Sequence, residues 1–209
     1  MRIQSFLVVV VLLALSGRSV NADVVTFTDR AAWEAAVSGS ITTEDFNGVS
    51  PFELPSNGTT AVGLLTIETT NSDLRQINDG TDSRNIDGSN FFKVRTDNDP
   101  VRSAAILFSS PVLAWAVDYN QFNDPTFVTF ASIVEGSIGP QNSSGFAGYV
   151  SDTAFSRVDL ISTNPSFAVI GLDNVSFVAI PEPSAFVCMG LVSLVAGGRR
   201  LTRKLRTDG

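Results

Sequence analysis

Val62-Gly63-Leu64-Leu65-Thr66-Ile67-Glu68-Thr69 is the stretch that decides how this chain folds. Within it, Leu65-Thr66-Ile67-Glu68 alternates apolar and polar, the period of two that sends successive side chains to opposite faces of a strand. Just before it stands Ser56-Asn57-Gly58, residue types that favour tight turns. Outward from there the same reading recurs at 24–27, 91–95, 103–108, 112–119, 127–134, 146–150, 157–162 and 167–177. Arg157-Val158-Asp159-Leu160 alternates as cleanly as the first stretch, and Asn98-Asp99-Pro100 supplies another turn. Residues 29–37 alone read as a helix: Thr28 or Asp29 can cap it, Gly39 follows it, and Trp33 and Val37 fall one turn apart on one face. No second helix-rich region and no internal repeat is present. The expectation is a mainly β chain, an antiparallel β-sandwich or jelly roll with one short N-terminal helix.

The two ends read differently. Residues 1–22 have the plan of a signal peptide: Arg2 at the front, an apolar run over 6–15, and Val20-Asn21-Ala22 before a cut at Asp23. The run is short for a membrane span, which favours a cleaved signal helix over a retained anchor. At the other end, Pro181-Glu182-Pro183 precedes an apolar stretch over 184–198 and a basic cluster of Arg199, Arg200, Arg203, Lys204 and Arg206. Fifteen helical residues reach about 22 Å, against a hydrocarbon core of about 30 Å. The stretch makes a thin transmembrane helix that snorkelling basic residues would help, with the basic end on the cytoplasmic side and the middle of the chain outside.

That order of motif, short transmembrane stretch and basic end resembles the PEP-CTERM sorting signal of bacteria. The resemblance implies recognition by an exosortase, a membrane protease-transpeptidase that removes the tail, after signal peptidase has removed the leader. It also implies an organism that makes exopolysaccharide or biofilm. The alternative is a plain tail anchor. The domain organisation is then a signal peptide at 1–22, an extracytoplasmic domain at 23–180 and a sorting tail at 181–209. The chain is expected to be exported, first as a membrane-anchored precursor and then at the cell surface or outside the cell.

Charge and composition narrow what the middle can do. Residues 23–180 hold 7 basic and 19 acidic side chains. A surface of that sign repels phosphate backbones, so nucleic-acid binding is disfavoured. The chain has no histidine, and its one cysteine, Cys188, lies in the tail. That removes disulfides from the domain, together with the usual serine and cysteine triads and the commonest zinc ligand. Paired carboxylates could still hydrolyse a glycoside, but among so many acids nothing singles out a pair. The domain is expected not to be an enzyme.

Phe27-Thr28-Asp29-Arg30-Ala31-Ala32-Trp33, Glu44-Asp45-Phe46-Asn47-Gly48, the run from Phe108 to Tyr119, Gly145-Phe146-Ala147-Gly148-Tyr149-Val150 and Gly171-Leu172-Asp173-Asn174-Val175-Ser176-Phe177 resemble domains found upstream of such tails. These are similar to lectin-type and carbohydrate-binding-module jelly rolls. The resemblance implies a structural calcium ion held between an early acidic pair, here Glu44 and Asp45, and an acid of the last strand, here Asp173, with Asn174 or a backbone carbonyl to complete the shell. From the residues themselves, the loop 79–88 looks calcium-like, but Ser83 and Val94 occupy ligand positions of an EF-hand alignment and no helices flank it, so it reads as a polar loop. A sugar-binding face would draw its rings from Trp115, Tyr119, Phe122 and Tyr149, with Asp118, Asn120 and Gln121 to bond hydroxyls; Trp115 reads as core, and Tyr119, at a strand end, is the preferred ring. The leading expectation is a non-enzymatic surface or matrix protein. The alternatives are a calcium-stabilised carbohydrate-binding module engaging exopolysaccharide and, last, a glycan-active hydrolase.

Overall fold

A computed structural model describes residues 23–71, 74–96, 103–123, 126–130, 133–162 and 168–180. The signal and sorting segments read at 1–22 and 181–209 lie outside them. The described chain is antiparallel β throughout, with a single short helix among the described residues. Its strands are β1 (Val24–Phe27), β2 (Thr42–Glu44), β3 (Phe52–Glu53), β4 (Gly58–Val62), β5 (Leu65–Thr70), β6 (Arg75–Asn78), β7 (Phe91–Thr96), β8 (Ser103–Asn123), β9 (Thr126–Phe130), β10 (Ile133–Ser137), β11 (Ser144–Ser162) and β12 (Ala168–Ala179). The helix α1 covers Arg30–Ala36.

Two long strands, β8 and β11, serve both layers of the sandwich. In the first layer the order is β1, β11, β8 and β12, with β2 and β7 sharing the far edge of β12, then β6 and β3. In the second it is β4, β5, β8, β11, β9 and β10. β8 changes layer around Pro111, and β11 around the register break between Val150 and Phe155. Proline has no N–H for a ladder and suits such a corner. The fold-over is visible in the ring contacts: Trp115 in the first layer lies 6.1 Å from Phe130 in the second, and Phe108 lies 5.1 Å from Phe177. Trp115 also stacks on Tyr149 at 5.1 Å with 13° between ring planes, and its place in the core matches the sequence reading. Ring pairs of this kind contribute on the order of 1 kcal/mol beyond their burial.

The sequence reading located most strands and misjudged several of their ends. The stretch expected as one strand over 62–69 contains the hairpin turn Gly63-Leu64, so β4 and β5 meet there. Conversely, 103–108 and 112–119 are one bent strand, as are 146–150 and 157–162. The short strands β2, β3 and β6 have too few residues to show a period.

The outer face of the first layer is covered in two ways. α1 starts where Asp29 accepts the Ala32 N–H at 2.8 Å, as an N-cap does. It lays Trp33 on Ala114, Ala116 and Val178. Trp33 is fully buried, rests against Gly148 and donates its indole N–H to the Tyr149 carbonyl at 3.2 Å. Further along the same face the cover is a loop, residues 79–90. With the core beneath and these covers above, β12 is buried on both sides along most of its length.

Candidate functional site

The loop that joins β6 to β7 is built from its own polar side chains. Asp79 Oδ1 accepts the Thr81 N–H at 3.1 Å, Asp82 Oδ1 the Arg84 N–H at 2.8 Å, and Asp87 Oδ1 the Ser89 N–H at 2.9 Å. Asn85 Oδ1 accepts the Gly88 N–H in the same manner. These short-range turns are what Asp and Asn do in place of regular structure. The loop is then tied to the sheet. Lys93 pairs with Asp82 at 2.6 Å, and Asn120 Nδ2 donates to the Asn85 carbonyl at 3.0 Å. Gly171 lets the loop come close: a Cβ there would stand 2.5 Å from the Arg84 carbonyl oxygen.

Beneath the loop lie two carboxylates on neighbouring strands. Asp118 of β8 and Asp173 of β12 are direct ladder partners and so project to the same face. Asp118 Oδ2 accepts from Arg30 Nη2 at 2.8 Å and from Asn174 Nδ2 at 3.0 Å. Arg30 also donates to Ser176 Oγ at 3.2 Å, and its guanidinium carbon lies 4.7 Å from the centre of the half-exposed Phe146 ring. Asn174 sits at φ +49, at the register break between Asp173 and Ser176. Asparagine tolerates this left-handed conformation better than most side chains. The break turns its backbone N–H onto Asp173 Oδ1 at 2.7 Å.

Asp173 is 1% exposed. Burial pushes its carboxyl up to about 6, against the pull of the Asn174 and Ser89 hydrogen bonds, and the neighbouring Asp87 and Asp118 add to the rise. Hydrogen counting gives the same direction. Ser89 Oγ stands 2.5 Å from Asp87 Oδ1 and 3.0 Å from Asp173 Oδ2. A hydroxyl has one hydrogen to donate. Whichever carboxylate takes it, the other contact bonds only if that carboxyl carries a proton of its own. Of the two, the buried Asp173 is the one that takes up such a proton first as pH falls, because Asp87 is held below the usual carboxylate range, first by the Ser89 hydroxyl.

The structure separates the residues expected to form a sugar site. Asp118 and Asn120 face outward together, but Tyr119 between them faces the core. It is 6% exposed, with its hydroxyl end against Gly139 and Gly145. The strand period of two forbids three consecutive side chains on one face, so this ring offers no stacking platform. Phe146 is the half-exposed ring beside Asp118, and the sequence reading did not single it out.

The expected calcium trio is also apart. β2 does pair with β12, as convergence would need, but Glu44 stands opposite Val175, not Asp173. Its buried carboxylate accepts the Phe46 N–H at 2.8 Å and the Leu64 N–H at 2.6 Å. It clamps the β4–β5 turn, where Gly63 has φ +57, the glycine position of a primed hairpin turn. A Cβ on Gly63 would collide with Glu44 Oε2. Asp45 is exposed and accepts the Asn47 N–H at 3.1 Å. These three acids do not stand together, and among the described residues no group of three or more His, Cys, Asp or Glu side chains is placed to hold a metal ion. The sorting residues Pro181, Glu182 and Pro183 and the basic cluster from Arg199 to Arg206 lie outside the described residues.

Sequence reading named Asp118, Asn120 and Asp173, and Asn174 only as a calcium ligand; it missed Arg30, Ser89 and the bond from Asn174 to Asp118. The contacts that join Arg30 to Asp118, Ser89 to Asp173 and Asn174 to Asp118 span 88, 84 and 56 positions along the chain, beyond any local pattern. No family model matches the chain, and no curated protein matches it. Among solved structures it is similar to variants of CBM29-2, a family 29 carbohydrate-binding module. A lysine-to-alanine variant gives 9% identity and TM-score 0.41, covering 62% of this chain and 91% of that one. An aspartate-to-alanine variant gives 8% identity and TM-score 0.42, covering 68% and 86%. Another, complexed with mannohexaose, gives 9% identity and TM-score 0.40, covering 68% and 92%. Likenesses at these levels assign neither a ligand nor a site to this chain.

Proposed function

We propose that this chain is an exported surface or extracellular-matrix protein, sorted through its C-terminal tail, whose folded domain works without catalysis. The three-part order over 181–206 carries this reading: Pro-Glu-Pro, an apolar stretch and a basic end, behind an N-terminal leader. The fold agrees with a tail that can be detached. β12 ends at Ala179, and the Ile180 N–H still bonds the Pro111 carbonyl at 3.0 Å, so the motif begins directly after the last contact of this edge among the described residues. Signal peptidase and an exosortase-type membrane enzyme are the processing partners of this reading. Its test is the intact mass of the mature protein from its native host, measured with its cell fraction. A chain cut before Asp23 and near Pro181, free of the membrane fraction, supports it. A chain that keeps residues 199–209 makes the tail a plain anchor and removes the exosortase.

A second reading, a carbohydrate-binding domain engaging exopolysaccharide, is favoured by the half-exposed group of Arg30, Asp118, Asn120 and Asn174 beside the Phe146 ring. Amides and charged groups next to a ring are the chemistry that orients sugar hydroxyls over an apolar sugar face. Hydrolysis is not proposed there. Asp173 is sealed under the loop, and Asp118 is held by Arg30 and Asn174. A glycan array with the wild-type chain and with Arg30→Ala and Asn120→Ala variants tests this reading. Binding that weakens in both variants supports it, and binding indifferent to both moves the site elsewhere.

A further inference from the structure

At one end of the first layer, an apolar row runs across four strands on the face that α1 only partly covers. Val25 of β1 pairs with Val150 of β11, Val150 with Ala114 of β8, and Ala114 with Val178 of β12. Direct ladder partners share a face, so these side chains form one line. Ile41 extends it, standing one residue before Thr42, which pairs with Phe177. The last turn of α1 stops short, and Val37 and Leu113 border an open hollow over the row. Val25 is 53% exposed, Ile41 38%, and Leu113 and Ile180 37% each, so most of the exposed large apolar residues of the described chain gather at this end.

Both ends of the domain leave from the same place. Val24 pairs with Ser151, next to the row, and β12 runs out through Val178 to Ile180. The three residues Pro181-Glu182-Pro183 then separate Ile180 from the apolar stretch that starts at Ser184. Even fully extended, four residue steps span only about 14 Å. The acidic loop 79–90 lies toward the opposite end of β12, over Gly171 and Asp173.

We propose that this apolar end is a membrane-facing surface: in the unprocessed chain its exposed residues, Val25, Ile41, Leu113 and Ile180, rest on the bilayer interface, while Ala114 and Val178 between them stay packed under Trp33. The inference rests on the tail reading and adds a contact made by the folded domain itself. The short spacer holds the row at the lipid surface at high effective concentration, so a modest apolar area suffices. The row itself carries no charge. Asp23 and Asp152 flank it at the β1–β11 edge, which favours a zwitterionic over an anionic surface. Removal of the tail frees the domain by ending the tether.

The test uses the full chain in phosphatidylcholine vesicles that contain spin-labelled phosphatidylcholine. Cys188→Ser removes the native thiol, and single fluorophores are placed through Val25→Cys, Ile41→Cys or Ser83→Cys. The expected result is loss of fluorescence at 25 and 41 with none at 83, and recovery at 25 when Ile41→Glu is added. A probe on native Cys188 reports the tail separately. Quenching at Cys188 with none at 25 or 41 overturns the membrane-facing surface and leaves the tail reading standing. No quenching at Cys188 sinks both. Protection at 25 that grows with protein concentration, without quenching, assigns the row to a second copy of the chain and also overturns the proposal.

Discussion

The outer face of the first layer carries two covers over one sheet, and they are held by different physics. Under α1, Trp33 packs on Ala114, Ala116 and Val178, and the interaction is apolar burial. Under the loop 79–90, Asp118, Asp173, Asn174 and Ser89 make hydrogen bonds that depend on where protons sit. The first cover is indifferent to pH. The second is not, because it places a buried carboxyl beside two other acids. A strand can therefore be buried on both sides by packing at one end and by polar satisfaction at the other.

The largest effect is expected under the helix. Trp33→Ala removes a fully buried ring and its bond to the Tyr149 carbonyl, and is expected to cost about 3–5 kcal/mol. Urea unfolding at pH 5 and pH 7.5 should give the same loss at both values. A loss that differs sharply between them would erase the distinction drawn between the two covers.

Asp173→Asn comes next and acts oppositely. Its folded pKa of about 6 lies above the ordinary 3.8, so the native state holds the proton more tightly than the unfolded chain. The stability this group contributes is complete below about pH 4, falls as pH rises toward 6, and is flat above. The rise from 3.8 to about 6 corresponds to about 3 kcal/mol at most. Asn keeps the shape and supplies the donor to Ser89 permanently. The variant should lose the slope between pH 4 and 6 and be more stable than wild type at pH 7. Asp79, Asp82 and Asp87, all held low, lose their contribution only as pH falls below about 4, which keeps the windows apart. Thermal melts across this range decide it: an unchanged slope in the variant assigns the titration to another group.

Asn174→Ala is a smaller break on the same side. It forces a Cβ residue without a polar tip into φ +49 and removes the donor to Asp118, for a loss of about 1–2 kcal/mol. Hydrogen exchange should rise at 84–90 and leave α1 protected. Smallest is Asp29→Ala, which deletes the α1 cap and costs about 1 kcal/mol, with exchange rising in the first helical turn only. If Asp29→Ala loosens the loop as strongly as the helix, the two covers are one unit.

The legible parts of the fold were those with a local rhythm. Leu65-Thr66-Ile67-Glu68 and Arg157-Val158-Asp159-Leu160 alternate because one face of each strand is buried, and both are strands. Asp29 and Trp33 announced the helix by cap and spacing. The corner of β8 was not legible, since Ser109-Ser110-Pro111 looks like a break, and the ladder resumes beyond it in the other layer. Of the candidate site, Asp118, Asn120 and Asp173 were marked by residue type, yet their partners were not. Tyr119 was placed on the wrong face because its neighbours' chemistry outweighed the pleat.

By itself the sequence determined the antiparallel β character, the one helix of the described residues, the acidity of the middle and the three-part order of the tail, because each is written in adjacent or periodically spaced residues. Only the tertiary structure decided that Glu44 clamps a turn at Gly63, that Asp173 is buried opposite Asp118 and against Ser89, and that Val25, Val150, Ala114 and Val178 share one line at the end where the chain leaves. These depend on which strands pair and in what register. A shift of a single residue would turn each of those side chains to the opposite face.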